Sequence, residues 1–98
     1  MNNESTMKID ENGNKYWTKK NGLLHRLDGP AIEWANGHKE WYKNGWIHRL
    51  GGPAVEYVDG RKEWWIRNKL YETKESYFNS LPKKSKEKCL FSKDFLNG

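Results

Sequence analysis

The amino-acid sequence predicts a mainly β protein: an antiparallel β-meander of 23-residue repeats followed by a short C-terminal helical tail. Three observations predict this class: a stretch that repeats itself, turn dipeptides between alternating aromatic and polar runs, and a change of pattern after Tyr71. NGLLHRLDGPAIEWANG at residues 21–37 returns as NGWIHRLGGPAVEYVDG at residues 44–60, which places His25 and His48 23 positions apart. A period of this length indicates one supersecondary unit used more than once.

Each unit contains short strands separated by tight turns. Alternating aromatic and polar residues are typical of strands, and Asn-Gly or Asp-Gly between two such runs predicts a two-residue type I′ turn, in which both central residues need positive φ. The predicted turns are Asn36-Gly37, Asn44-Gly45 and Asp59-Gly60. Pro30 and Pro53 fall where one hairpin passes to the next, a place where a missing N–H does least harm. We therefore expect roughly six to eight strands over residues 13–71.

Two-residue turns also predict which side chains share a face of the sheet. Ile32 should lie opposite Trp41, and Trp41 opposite His48. Trp34 and Trp46 would lie on the same side. This ring-rich face is expected to supply most of the buried surface of the repeats.

The opposite face is predicted to carry a cross-strand row of charges. Counting from the same turns places Glu33 beside Glu40, and Glu40 beside Arg49. The guanidinium of Arg49 would then neutralise the repulsion between the two carboxylates. In the second copy the same count places Glu56 against Glu63.

The two ends of the chain differ from the repeats. Residues 1–12 hold no apolar run and are predicted to be disordered, whereas residues 72–98 are predicted to form the helical tail. Tyr77 and Leu81 fall on one side of a helix there, and Pro82 ends that turn or opens the next helix. The tail is expected to cover part of the sheet, because a small sheet alone leaves its ring-rich face in water.

The repeat resembles a known family. WYKNGWIH at residues 41–48, with its aromatic pair, Asn-Gly and following histidine, is similar to the MORN repeat. HRLDGPA at residues 25–31, with its variant at residues 48–54, is similar to repeat proteins encoded by bacteriophages and large DNA viruses. The resemblance covers about residues 12–70. It implies a MORN-like β-meander that serves as a binding or scaffolding surface, not as a catalytic site.

Composition limits the classes of function. Eighteen Lys and Arg against thirteen Asp and Glu leave a net charge of +5, which favours a partner with negative charge. No catalytic motif, phosphate-binding glycine loop or zinc-ligand spacing is present, so we expect no enzyme activity, no metal and no cofactor. Cys89 is the single cysteine, and no apolar run is long enough to span a membrane. These features predict a soluble protein of the cytoplasm, the host cytoplasm if the source is viral.

The candidate partner-contacting residues are aromatic or basic. Trp64 and Trp65 are neighbours on a strand, so they point to opposite faces, and one of them should be exposed or lie under the tail. Arg26 has no assured carboxylate partner, whereas His25 and His48 recur with the repeat and are interpreted as packing positions. The full set of candidates is Arg26, Trp46, Arg61, Lys62, Trp64, Trp65, Arg67, Lys83 and Lys84.

Two functions follow as hypotheses. The first is a non-enzymatic, virus-encoded protein that binds a host protein with an acidic surface, such as a defence or nucleic-acid-processing factor. It would inhibit or redirect that protein through a basic, aromatic sheet surface. The alternative is a protein that binds or sequesters a nucleotide or nucleic acid with its Trp, Arg and Lys side chains. The chain is expected to be a monomer or a homodimer, the latter if an outer strand near residues 15–17 pairs with a second copy.

Overall fold

The computed structural model describes residues 5–98, and within that range it contains nine strands and three short helices. The strands are β1 (Thr6–Ile9), β2 (Lys15–Thr18), β3 (Ile32–Glu33), β4 (Lys39–Glu40), β5 (Tyr42–Lys43), β6 (Trp46–Ile47), β7 (Val55–Glu56), β8 (Lys62–Ile66) and β9 (Lys69–Tyr71). The helices are α1 (Lys74–Asn79), α2 (Lys83–Cys89) and α3 (Lys93–Leu96). The predicted mainly β meander with a helical tail is confirmed, and no helix among the described residues is long and apolar enough to cross a membrane.

Seven strands form one antiparallel sheet in the order β1-β2-β3-β4-β7-β8-β9, and β5 and β6 form a hairpin of their own. Trp41 separates that hairpin from β4. Three hairpins occupy equivalent positions along the chain, and we call them the first, second and third tip hairpins. They comprise residues 17–25, 41–48 and 64–71, and are held by the pairs Thr18–Leu24, Tyr42–Ile47 and Trp65–Leu70.

The turns at the other end of the sheet are longer than predicted. Gly37 donates its N–H to the Trp34 carbonyl (2.9 Å), and Trp34 donates to the His38 carbonyl (2.9 Å), which closes a three-residue loop. Asn36 Oδ1 accepts the N–H of His38 (2.9 Å), and only Gly37 has positive φ (+100°). The predicted two-residue turn at Asn36-Gly37 is therefore wrong. The dipeptide serves a turn with a following bulge, where only the glycine is left-handed.

The Asp59-Gly60 turn has the same three-residue form, because Tyr57 donates to the Arg61 carbonyl (2.9 Å). Asp59 Oδ1 accepts the Arg61 N–H (3.0 Å), as Asn36 does in the preceding loop. The two-residue prediction is wrong here too. By contrast, Asn44-Gly45 is a two-residue turn with positive φ at both positions (51° and 83°), as predicted.

The extra loop residue shifts the register by one position and changes both faces. Ile32 lies opposite Glu40, so the predicted pairing with Trp41 is wrong. Glu33 lies opposite Lys39, which removes the predicted row of Glu33, Glu40 and Arg49. The actual row alternates in sign across five strands: Lys15, Glu33, Lys39, Glu56 and Lys62. Alternating charges on adjacent strands stabilise the pairing that two facing carboxylates would oppose.

The predicted ring-rich face is consequently divided between the two sides of the sheet. Trp34 lies on the side of Tyr16 and Glu40, with its ring centroid 6.0 Å from that of Tyr16 and its Nε1–H donated to Glu40 Oε2 (3.0 Å). Trp41 lies on the other side with Lys39, because neighbours two positions apart share a face. The predicted pairing of Trp41 with His48 is confirmed, since His48 donates its N–H to the Trp41 carbonyl (3.1 Å).

An arginine covers the tryptophan at the base of the first and second tip hairpins. The Arg26 guanidinium lies 3.8 Å from the ring centroid of Trp17, and that of Arg49 lies 3.9 Å from Trp41. Each arginine also donates to the carbonyl of the following proline, at 3.2 Å and 3.0 Å. This cation–π stack is the recurring packing unit of the repeat.

The third tip hairpin has Trp64 at the equivalent position but no arginine, and the helical tail covers it. Tyr77 and Phe95 lie 4.9 Å and 5.7 Å from the Trp64 ring. With Leu81 and Cys89 these residues form the main buried cluster of the described chain. The predicted position of a tryptophan beneath the tail is confirmed for Trp64.

The first two helices of the tail begin after Thr73 and after Pro82. Thr73 caps α1 by accepting the N–H of Ser76 on its Oγ1 (3.0 Å), and Pro82 precedes α2 as its N-cap. The disorder predicted for residues 1–12 is wrong over residues 6–12, because β1 pairs with β2 from Thr6 to Ile9; residues 1–4 lie outside the described residues. Backbone pairing holds β1 although its side chains are exposed, and it places β1 rather than residues 15–17 at the sheet edge.

Candidate binding cleft

A cleft of about 880 Å³ lies between the second and third tip hairpins and is bordered by the tail. It belongs to the volume range of small-molecule sites. Its lining residues come from three separated parts of the chain: Lys43, Asn44, Trp46, His48, Leu50, Ile66, Arg67, Lys69, Tyr71, Ser80 and Pro82.

The backbone of the third tip hairpin is positioned by the second. His48 Nδ1 accepts the N–H of Arg67 (3.0 Å), Asn68 donates its N–H to the Ile47 carbonyl (2.9 Å), and Asn68 Oδ1 accepts the N–H of Ile47 (2.8 Å). Arg67 and Asn68 both have positive φ (49° and 68°), so they form a two-residue turn that the sequence did not predict. These contacts place the Arg67 side chain at the cleft.

Three cations line the cleft: Lys43, Arg67 and Lys69. None of them forms an ion pair with a carboxylate among residues 5–98. The lining set contains no aspartate or glutamate. A concave surface of one charge sign concentrates the field, so the cleft attracts anions.

His48 contributes a neutral donor to this lining. Burial lowers its pKa, and the nearby charges of Lys43 and Arg67 lower the pKa further. The imidazole is therefore uncharged at neutral pH. Because Nδ1 accepts the Arg67 N–H, the proton of the neutral ring is carried by Nε2.

The cleft also offers aromatic surface. Trp46 follows the Asn44-Gly45 turn and is 50% exposed, and Tyr71 lies on the third tip hairpin. Lys69 Nζ lies 5.1 Å from the ring centroid of Tyr71, so charge and ring are adjacent. An unpaired cation beside an accessible ring suits a ligand that combines negative charge with a flat or apolar group.

Of the sequence-predicted candidates, the structure brings Trp46 and Arg67 together in the cleft. Lys83 and Lys84 are exposed on the first turn of α2, directly after Pro82 at the cleft border. They extend the positive surface from the cleft onto the tail.

The other basic candidates lie elsewhere. Arg61 is paired with Asp59 (2.9 Å) and its guanidinium lies 4.4 Å from the Tyr57 ring, while Lys62 ends the alternating charge row. Neither lines the cleft.

Arg26 is a structural residue in this fold. Besides its stack on Trp17 it pairs with Asp28 (2.9 Å) and Glu33 (3.2 Å), carboxylates that the sequence had not assigned to it. Asp28 is two residues from Arg26 and Glu33 is seven residues away, so both partners belong to the same repeat as the guanidinium.

Arg49 does not pair with Glu40 as expected. It pairs with Glu56 (3.3 Å) and with Asp94 of α3. Asp94 replaces Asp28, whose equivalent in the second repeat is Gly51.

The two adjacent tryptophans are engaged within the protein. Trp64 is 7% exposed, which overturns its assignment as a contact residue. Trp65 is half-buried and donates its Nε1–H to Glu63 Oε1 (2.9 Å).

Sequence reasoning missed Lys43, Lys69 and Tyr71 as members of one site. The available signal was positional, because Lys43 and Lys69 each flank a tight turn and neighbouring tip hairpins present equivalent turns side by side. No family model, curated protein or solved structure matches this chain. Within residues 5–98 no group of three or more His, Cys, Asp or Glu side chains could hold a metal ion.

Proposed function

We propose that this chain is a non-enzymatic binding protein that engages an acidic surface of another protein through the cationic cleft. The observation that carries this proposal is the gathering of Lys43, Arg67 and Lys69 around the exposed Trp46, with no carboxylate partner among residues 5–98. Holding three like charges together opposes folding, whereas carboxylates of a partner would neutralise them.

The surface has the composition of a protein-binding site. Tryptophan and arginine are the residue types that most often supply the main binding energy at interfaces. Lys83 and Lys84 continue the positive field beside the cleft, where exposed charges raise the rate of association with an acidic partner. The resemblance to virus-encoded repeat proteins supports a host protein as the partner, which binding would inhibit or redirect.

The test is capture of a partner by the immobilised full chain, with nuclease present, compared between charge-reversal variants. Lys43→Glu combined with Arg67→Glu should abolish capture of a protein that the unmodified chain retains. Lys8→Glu combined with Lys20→Glu changes the net charge equally at exposed positions outside the cleft, and should retain it. Equal capture by both double variants would show that the cleft is not the contact surface.

The second candidate function is binding of a nucleotide or nucleic acid. It is favoured by the same cleft, because Trp46 and Tyr71 can stack on bases while the cations contact phosphates. In the capture experiment, material that is lost on nuclease treatment would support this candidate over a protein partner.

A further inference from the structure

We propose that the cleft binds a phosphorylated nucleoside, with the base against Trp46 and the phosphates among Lys43, Arg67 and Lys69. The proposal deepens the second candidate function and rests on the cleft being a binding site. The ligand would be a free nucleotide or a phosphorylated end of a nucleic acid, which has the same chemistry.

The junction between the first and second tip hairpins has the same backbone contacts between hairpins as the cleft, although the loop of the first hairpin is one residue longer. That junction is filled by its own side chains. Lys19 Nζ donates to Asn44 Oδ1 (2.8 Å), and Leu23 packs so closely on Gly45 that a Cβ there would lie 3.0 Å from Leu23 Cδ2. Cation and aliphatic group are both satisfied within that junction.

At the second junction the lysine is kept and its partners have changed. Lys43 lies opposite Trp46 as Lys19 lies opposite Leu23, although the 23-residue period aligns Lys43 with Lys20. Arg67 stands where Asn44 would accept the hydrogen bond, and Trp46 stands in the place of Leu23. The acceptor has become a second cation, and an aliphatic side chain that is 42% exposed has become an aromatic ring that is 50% exposed. The changes therefore remove the internal partners and add the two features that a nucleotide needs, positive charge and a stacking surface.

The chemistry of the lining fits phosphate in particular. An arginine fork binds two phosphate oxygens at once, and two lysines add point charges that neutralise a polyphosphate. His48, with Nδ1 occupied by the Arg67 N–H, supplies a neutral N–H donor. A lining without carboxylates does not repel the phosphates.

The experiment is isothermal titration calorimetry of the full chain with four probes: adenosine triphosphate, adenosine, inorganic triphosphate and a 5′-phosphorylated single-stranded decanucleotide. We expect adenosine triphosphate to bind more tightly than adenosine and than inorganic triphosphate, because it alone satisfies both parts of the site. The decanucleotide arm distinguishes a free nucleotide from a nucleic-acid end.

Variants assign the binding to the cleft. Lys43→Ala and Arg67→Asn should each weaken adenosine triphosphate binding about tenfold, since each removes a charged contact. Trp46→Ala should weaken it about tenfold through loss of stacking, with no effect on inorganic triphosphate, and Trp46→Phe should restore most of the affinity. Lys8→Ala combined with Lys20→Ala is the control for charge outside the cleft, and thermal unfolding confirms that each variant is folded.

Three results would overturn the inference: equal affinity for adenosine triphosphate and inorganic triphosphate, unchanged affinity in the Lys43 and Arg67 variants, or no binding of any probe. If no probe binds but the charge-reversed cleft still loses its protein partner, the nucleotide inference fails while the protein-binding function stands. If adenosine triphosphate binds and the cleft variants capture the protein as well as the unmodified chain does, the nucleotide inference stands while the protein-binding function fails.

Discussion

Matching backbone contacts join the first tip hairpin to the second and the second tip hairpin to the third. His25 Nδ1 accepts the N–H of Asn44 (2.9 Å), and His48 Nδ1 accepts the N–H of Arg67 (3.0 Å). Gly45 donates its N–H to the Leu24 carbonyl (2.8 Å), and at the second junction Asn68 donates its N–H to the Ile47 carbonyl (2.9 Å). The repeated histidine is therefore the residue that aligns one tip hairpin with the next.

The side chains of the two junctions behave differently. The first is closed by Lys19 on Asn44 and by Leu23 on Gly45, and its His25 is 5% exposed. The second is open, charged and lined by a half-exposed Trp46. The backbone contacts of this repeat are therefore compatible with either surface, and we propose that the second junction is the one that binds.

The largest expected effect comes from removing the aligning histidine. His25→Ala leaves a buried gap and an unpaired Asn44 N–H, so we expect the free energy of unfolding to fall by about 3 kcal/mol. His48→Ala, at the open junction where water reaches the Arg67 N–H, should cost about 1 kcal/mol. Urea unfolding of both variants measures the difference; equal losses would contradict the claim that the first junction carries more stability.

The arginines extend the comparison to the tryptophan stacks. Arg49→Ala removes the cover of Trp41 and also the ion pair with Asp94, 45 residues further along the chain, so we expect a loss of about 2 kcal/mol. Arg26→Ala removes the stack on Trp17 and the ion pair with Asp28, which is only two residues away in the chain. We expect this substitution to lower the free energy of unfolding by about 1 kcal/mol.

Hydrogen exchange of the tail amides provides the control for the arginine comparison. Arg49→Ala should increase exchange in α3, whereas Arg26→Ala should leave it unchanged, since Asp94 belongs to α3. Unaltered exchange in both variants would mean that the ion pair does not hold the tail.

A single substitution should convert the open junction towards the closed one. Arg67 has φ of 49°, a conformation that asparagine adopts more readily, and asparagine there would stand in the place of Asn44 as an acceptor for Lys43. We expect Arg67→Asn to raise the free energy of unfolding by about 0.5–1 kcal/mol while weakening ligand binding. A destabilised Arg67→Asn would argue against the equivalence of the two junctions.

The smallest expected effect is the pH dependence of the second junction. Burial and then the charges of Lys43 and Arg67 hold the pKa of His48 below its ordinary value. The unfolded chain therefore takes up this proton first as pH falls below about 6.5, and the contribution of His48 to stability, complete above that pH, is lost as pH approaches the folded-state pKa. Lys43→Ala should raise the His48 pKa in an NMR titration; an unchanged value would exclude that charge as a cause.

Local sequence predicts where the strands and turns lie better than it predicts which residues pair across neighbouring strands. Asn44-Gly45 forms the predicted two-residue turn, with left-handed conformation at both residues. Asn36-Gly37 has the same composition but forms a three-residue loop, in which the asparagine side chain accepts the N–H of His38. One dipeptide is compatible with both loops, and the one-residue difference was enough to misplace every cross-strand partner of Ile32 and Glu33.

The candidate site shows the same division. Trp46 was predicted to be exposed because it follows a tight turn, and Arg67 was among the predicted contacts, but Lys43, Lys69 and Tyr71 were not predicted as contact residues. These residues meet because the second and third tip hairpins stack and the tail closes one side. Such contacts depend on the geometry between repeats, which periodicity alone does not specify.

By itself the sequence determined the repeat period, the β class and the start of a helical tail after Tyr71, and it left open whether a tryptophan of the Trp64-Trp65 pair is exposed or lies beneath that tail. Turn dipeptides, strand patterning and helix capping act over a few residues, so they can be predicted from the sequence without a structure. Only the tertiary structure decided the alternating charge row, the pairing of Arg49 with Asp94, and the gathering of three cations at the second junction. These depend on loop length and on which side chains of adjacent repeats come within reach, because register and long-range ion pairs are settled by the packing of whole units.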